Sequence, residues 1–122
     1  MAIFNKMISS LVPYFPRSLT YQFAKRYVAG TTKETALKTI KELNDAGYMV
    51  TIDILGEHTK DQNLASKITG QYIDLYKEIN STSLNCNISL KPTHIGSEIS
   101  VDIYNKNLQK IINISEETNN FL

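Results

Sequence analysis

The chain has a single cysteine, Cys86, in 122 residues, so no intrachain disulfide can form. That fits a reducing compartment such as the cytoplasm. Cys86 stands in an apolar, strand-like run, which reads as a small packing residue rather than a reactive thiol. An excess of charge is missing too. Thirteen basic residues face twelve acidic ones, for a formal net charge of +1. That balance removes the electrostatic footprint of a nucleic-acid binder and the pull towards a strongly anionic membrane. It is compatible with a weak amphipathic membrane contact. No uninterrupted apolar run reaches the roughly 18 residues a spanning helix needs. The mildly apolar start, Met1 to Pro16, is interrupted by Ser9 and Ser10 and carries no small-x-small cleavage pattern. It reads as an N-terminal helix packed on a larger domain, not as a signal peptide. Linkers, low-complexity tracts and tandem repeats are also lacking. What is present, 42% hydrophobic and 20% charged residues, is ordinary for a folded domain. The length allows one domain at most.

Pro13 and Pro16 close the first segment, and Leu19 to Val28 reads as a short helix with Phe23 and Tyr27 on one face. A clearer helix follows, with Thr31 or Thr32 as N-cap, Ala36, Leu37, Ile40 and Leu43 at helical spacing, and Gly47 as the stop. Tyr48 to Leu55 reads as a strand ended by Gly56. A second helix runs from about Asp61 to Asn80, with an apolar stripe of Leu64, Ile68, Tyr72, Leu75, Tyr76 and Ile79. A second strand covers Asn85 to Lys91 and is ended by Pro92. A third helix spans about Ser100 to Asn113, with Val101, Tyr104, Leu108, Ile111 and Ile112 on one side. Asn120, Phe121 and Leu122 are apolar enough to begin another strand.

Alternating strands and helices at this period predict right-handed βαβ units and a parallel sheet, hence an α/β fold. Both strands carry polar residues at alternate positions: Thr51 and Asp53 in the first, Asn87, Ser89 and Lys91 in the second. Parallel strands covered on both faces usually read as continuous apolar runs. One polar face suggests an interior that holds a ligand. In a barrel, alternate residues point inward and functional groups come from the C-terminal strand ends. Asp53, Glu57 and Lys91 stand at or just past those ends.

Two stretches resemble the proline dehydrogenase family. One is Asp53-Ile54-Leu55-Gly56-Glu57, closing the first strand; the other is Ser89-Leu90-Lys91-Pro92-Thr93-His94-Ile95-Gly96, closing the second. Phe23 to Gly30 resembles the family's approach to its barrel, and so do the helix Thr31 to Asn44 and the spacing between the motifs. The resemblance covers about residues 20 to 122. It implies a partial (β/α)8, or TIM-type, barrel: an N-terminal helical segment at 1–30, then the first two to three strand–helix units at 31–122. It implies an FAD-dependent oxidoreductase of proline catabolism that oxidises L-proline to 1-pyrroline-5-carboxylate and passes electrons to a quinone. That chemistry implies a cytoplasmic protein with a peripheral contact at the inner face of the membrane.

By the same resemblance Lys91 binds the substrate carboxylate, a sensible task for a compact cation with three donors. Glu57 is expected near the mouth of the site as a gate, paired with an arginine from late in the barrel. The catalytic residues, the main flavin contacts and an arginine pair are expected beyond residue 122, because a complete barrel takes about 250 residues. The chain is therefore expected to be a fragment, a split product or a truncated gene, inactive by itself.

Each candidate also has a plainer role. Lys91 can be a solvated lysine, Asp53 can cap a loop or bond a neighbouring strand, and Glu57 can cap the helix that follows. His58 and His94, one after each strand, invite a metal, but they lack ligand-type spacing and flavin chemistry needs none, so no metal is expected. Tyr72, Tyr76 and Tyr104 on helix stripes read as packing. Two other functional classes stay open: a half-chain that needs a complementary partner, and another barrel enzyme such as a phosphate-binding aldolase.

Overall fold

A computed structural model describes residues 28–122. The expected helices within Met1 to Pro16 and Leu19 to Val28 lie outside the described residues, apart from Val28 itself. Contacts divide the chain into two compact units, residues 1–39 and 40–122. The described part of the first unit is the entry into helix α1 (Lys33–Asp45). Thr32 is its N-cap. The Thr35 amide donates to Thr32 Oγ1 at 3.3 Å, and the Thr32 amide donates back to Thr35 Oγ1 at 3.2 Å. Two amides left over by the first turn are thereby satisfied. Thr39 Oγ1 donates to the Ala29 carbonyl at 2.8 Å.

The second unit is built in the order β1 (Val50–Asp53), α2 (Gln62–Ser81), β2 (Cys86–Ser89), a 3-10 turn (Pro92–His94) and α3 (Val101–Glu117). β1 and β2 pair in parallel, with Val50 opposite Cys86, Thr51 opposite Asn87, Ile52 opposite Ile88 and Asp53 opposite Ser89. This is the expected α/β arrangement with parallel strands. Both strands are shorter than the expected Tyr48 to Leu55 and Asn85 to Lys91. Asn44, near the end of α1, fixes where the ladder starts. Its side-chain amide donates to the Asn85 carbonyl at 3.1 Å and accepts from the Asn85 amide at 2.9 Å. The Val50 amide then donates to that same carbonyl at 3.2 Å.

Helix α2 starts at Asp61, whose carboxylate accepts from the Leu64 amide at 2.7 Å. Asp61, not Glu57, therefore caps it. Ser100 caps α3 in the same way, accepting from the Ile103 amide at 3.2 Å. The two helices pack directly on each other. Most of the core comes from these helices and β2: Ala65, Ile68, Tyr72, Leu75, Tyr76 and Ile79 from α2, Ile111 and Ile114 from α3, with Cys86 and Ile88 from β2 and Ile95 from the following loop.

Two stripes differ from their expected positions. Leu64 is half exposed while Ala65 is fully buried. On α3 the buried face is turned. Val101 is exposed, and Asn107 and Ser115 are buried. Each buried polar group has a partner: Asn107 Nδ2 donates to the Ile95 carbonyl at 3.0 Å, and Ser115 Oγ donates to the Ile112 carbonyl at 2.8 Å. Apolar periodicity cannot register a face that carries paired polar groups. Cys86 is a packing residue, as expected: it is buried, and burial pushes its thiol up to about 11.

No third strand forms among the described residues. The Asn120 side chain donates to the Cys86 carbonyl at 3.0 Å, and the Tyr76 hydroxyl donates to the Phe121 carbonyl at 3.3 Å. A side-chain amide thus meets a β2 carbonyl where a backbone ladder was expected. Among the described residues, no helix is long and apolar enough to cross a membrane.

Candidate functional site

Because β1 and β2 run parallel and in register, their C-terminal ends lie side by side. The loops β1–α2 and β2–α3 leave from that same end, where α/β sheets gather their ligand groups. The pleat sorts the side chains. Cys86 and Ile88 are buried; Thr51, Asp53 and Ser89 are exposed, with Asn87 partly so. Thr51 Oγ1 donates to Asn87 Oδ1 across the strands at 2.6 Å. Asp53 sits opposite Ser89.

Lys91 follows Ser89 by two residues with an extended backbone (φ −101°, ψ 118°), so it continues the alternation onto this polar face. Its ammonium donates to Asp53 Oδ2, and each of the two side chains is 36% exposed. Lys91 and Asp53 are therefore brought together on the open side of the sheet. Glu57 is not part of that pair. Its side chain is mostly exposed, 3.9 Å from His58 Nε2.

The two loops are joined to each other. The Thr59 amide donates to the Thr93 carbonyl at 3.0 Å, and Thr59 itself is buried. His58, held in the left-handed region at φ 57°, places Nδ1 2.6 Å from Glu98 Oε1. Glu98 was not foreseen from the sequence, where nothing distinguishes a loop carboxylate that will meet a histidine 40 positions earlier.

His94 follows the end of β2, yet it is only 5% exposed. Gly56 lies directly over its ring, and Tyr72 meets it edge-on with the centroids 6.2 Å apart. Burial, with the Lys91 ammonium adding to it, holds His94 below the ordinary imidazole range. Neither His94 Nδ1 nor the Tyr72 hydroxyl has a hydrogen-bond partner. His58 and His94 thus have separate roles, one at the surface and one in the core. Among the described residues no cluster of three or more metal-ligand side chains occurs.

The loop pair has a definite pH dependence. The hydrogen bond to Glu98 is the largest influence on His58, and its charge comes next. Together with the weaker pull of Glu57, and against desolvation and Lys60, they raise its pKa above the ordinary 6.5. A raised folded-state pKa means the pair's contribution is complete below about 6.5 and fades as pH rises through the folded value. An imidazole titration by NMR is expected to place the His58 midpoint above 6.5. Glu98→Gln should bring it back towards that value. An unchanged midpoint in Glu98→Gln would show that the pair does not persist in solution.

Three relatives share a 94-residue stretch with this chain, 77% of its length. Proline dehydrogenase 1 of Bacillus subtilis strain 168 is 35% identical over it, and proline dehydrogenase 2 of the same strain 32%. Proline dehydrogenase 1 of Bacillus subtilis subsp. natto is 34% identical. The match covers 31% of the length of each of these relatives. No family model matches the chain. Identity at this level, over a stretch long enough to hold both strand-closing motifs, reflects common descent with these proline dehydrogenases.

Proposed function

We propose that this chain supplies the first two strand–helix units of a (β/α)8 barrel that oxidises L-proline to 1-pyrroline-5-carboxylate. In that reading FAD would supply the hydride acceptor and a quinone the final electron acceptor, in the cytoplasm at the inner face of the membrane. The observation that carries this is the position of Lys91 at the C-terminal end of β2, on the open polar face beside Asp53. A half-exposed ammonium there keeps two donors for an incoming carboxylate. Thr51, Asn87 and Ser89 extend the same face with groups that hydrogen-bond a polar ligand.

The donor set fits the carboxylate end of an amino acid. It offers no basic cluster or glycine-rich nest for the diphosphate of FAD, whose contacts belong to later strands of the barrel. When bound, FAD supplies the hydride acceptor. The residues of this chain fix the substrate carboxylate and line one wall.

The polar face also favours a partner-dependent protein. Among the described residues the sheet has two strands and one face open to solvent. Parallel sheets are stable with both faces covered. A complementary chain carrying the rest of the barrel would cover that face and complete the site.

Flavin absorbance tests both points. The purified chain alone is expected to bind no flavin. Mixed with a complementary chain, it should hold FAD that L-proline bleaches. Lys91→Ala should then lower kcat/KM for proline by roughly a hundredfold, the loss expected for a charged hydrogen bond to a bound carboxylate. Unchanged kinetics in Lys91→Ala, or no proline-dependent bleaching in the complemented protein, would overturn the assignment.

A further inference from the structure

We infer that Asp53 is a positioning residue for Lys91, holding the ammonium in one orientation on the open sheet face before any carboxylate arrives. The inference deepens the proposed function and rests on Lys91 being the carboxylate anchor. Asp53 is the last residue of β1, and its register partner is Ser89. Lys91 lies two residues beyond Ser89 on the same side of the pleat. The in-register parallel ladder thus places a carboxylate within reach of the lysine head group, and the two are in direct contact. The floor beneath them is tied by the Thr51–Asn87 hydrogen bond at 2.6 Å.

A lysine has a flexible four-carbon stem, and only some of its rotamers aim the ammonium at a given ligand. A contact formed beforehand removes the ordering cost at the moment of binding. Asp53 uses one donor of the ammonium and leaves two. It also brings a negative charge near an incoming carboxylate, which opposes binding. Both side chains are 36% exposed, so water screens that longer-range repulsion. The loss of orientation acts on the contact itself and outweighs it. Electrostatics alone and positioning therefore predict opposite signs for the same substitution.

The experiment uses the full chain with isotope-labelled lysine, and with L-proline as the probe. NMR relaxation at the Lys91 side chain is read without ligand, and proline-induced shifts give a Kd in the millimolar range. Asp53→Asn keeps the shape and removes the charge. It should leave Lys91 as mobile as the exposed lysines and weaken proline binding about tenfold. Asp53→Glu should restore order and most of the affinity, a rescue that a merely structural role does not predict. Lys91 as ordered in Asp53→Asn as in the unaltered chain, or tighter proline binding by Asp53→Asn, would overturn the inference. If the unaltered chain shows no proline-induced shift at Lys91, the anchor role falls, while the ligand-free relaxation still decides whether Asp53 orients the lysine.

Discussion

Replacing Tyr72 by alanine is expected to lower the melting temperature by roughly 10–20 °C. Tyr72 lies on the buried face of α2 and is 0% exposed. Its ring meets His94 from the β2–α3 loop edge-on. Truncating a fully buried aromatic costs about 3–5 kcal/mol, because lost transfer energy and the remaining cavity add. For a domain of this size each kcal/mol shifts the midpoint by about 4 °C. Tyr72→Phe separates the ring from the hydroxyl. Burial pushes that hydroxyl up to about 12 against a lowering influence from the Lys91 backbone, yet no group lies in hydrogen-bond geometry to it. Removing an unpaired buried hydroxyl should be neutral or slightly stabilising. A thermal melt in which Tyr72→Phe loses more than about 1.5 kcal/mol would mean the hydroxyl has a partner in solution, such as a buried water.

Gly56→Ala is expected to destabilise the chain by about 2–4 kcal/mol and to displace His94. Two observations combine. Gly56 has φ +144°, a region that L side chains rarely adopt, and a Cβ there would come within 2.5 Å of His94 Nε2. His94 cannot easily yield, since it is buried against Tyr72. Gly47 provides the control. It too has positive φ, at +88°, but a Cβ there would meet nothing within 4 Å. Gly47→Ala should therefore show the backbone cost alone, about 1 kcal/mol. Denaturant melts of the two variants test the difference. Equal losses would mean that the contact over His94 contributes nothing. The same Gly56 belongs to the first strand-end motif that resembles the family, so the glycine there has a packing reason visible in this chain.

Three parts of the fold were legible in the sequence because each is set by local physics. Thr32 and Ser100 start helices through their own side chains, and Gly47 ends one through its backbone freedom. The alternation of Val50, Ile52 and Ile54 with polar neighbours marked a strand with two unlike faces. The resemblance of the two strand-closing motifs is likewise a property of the chain as written. Asp61 was a weaker signal, because Glu57 also stood as a residue able to cap α2.

The sequence by itself determined the α/β class, the helix and strand order, the polar face of the strands and the kinship with proline dehydrogenases. Only the tertiary structure decided which side chains meet. Asp53 and Lys91 became a pair through the register of two strands separated by a whole helix. Glu98 reached His58, and His94 went under Gly56, only once two loops were brought to the same sheet end. The buried face of α3 turned towards Asn107 because a loop carbonyl, that of Ile95, stood ready to accept its amide. Local propensity acts over a few neighbouring residues, whereas these partners are set by strand register and helix packing between distant segments.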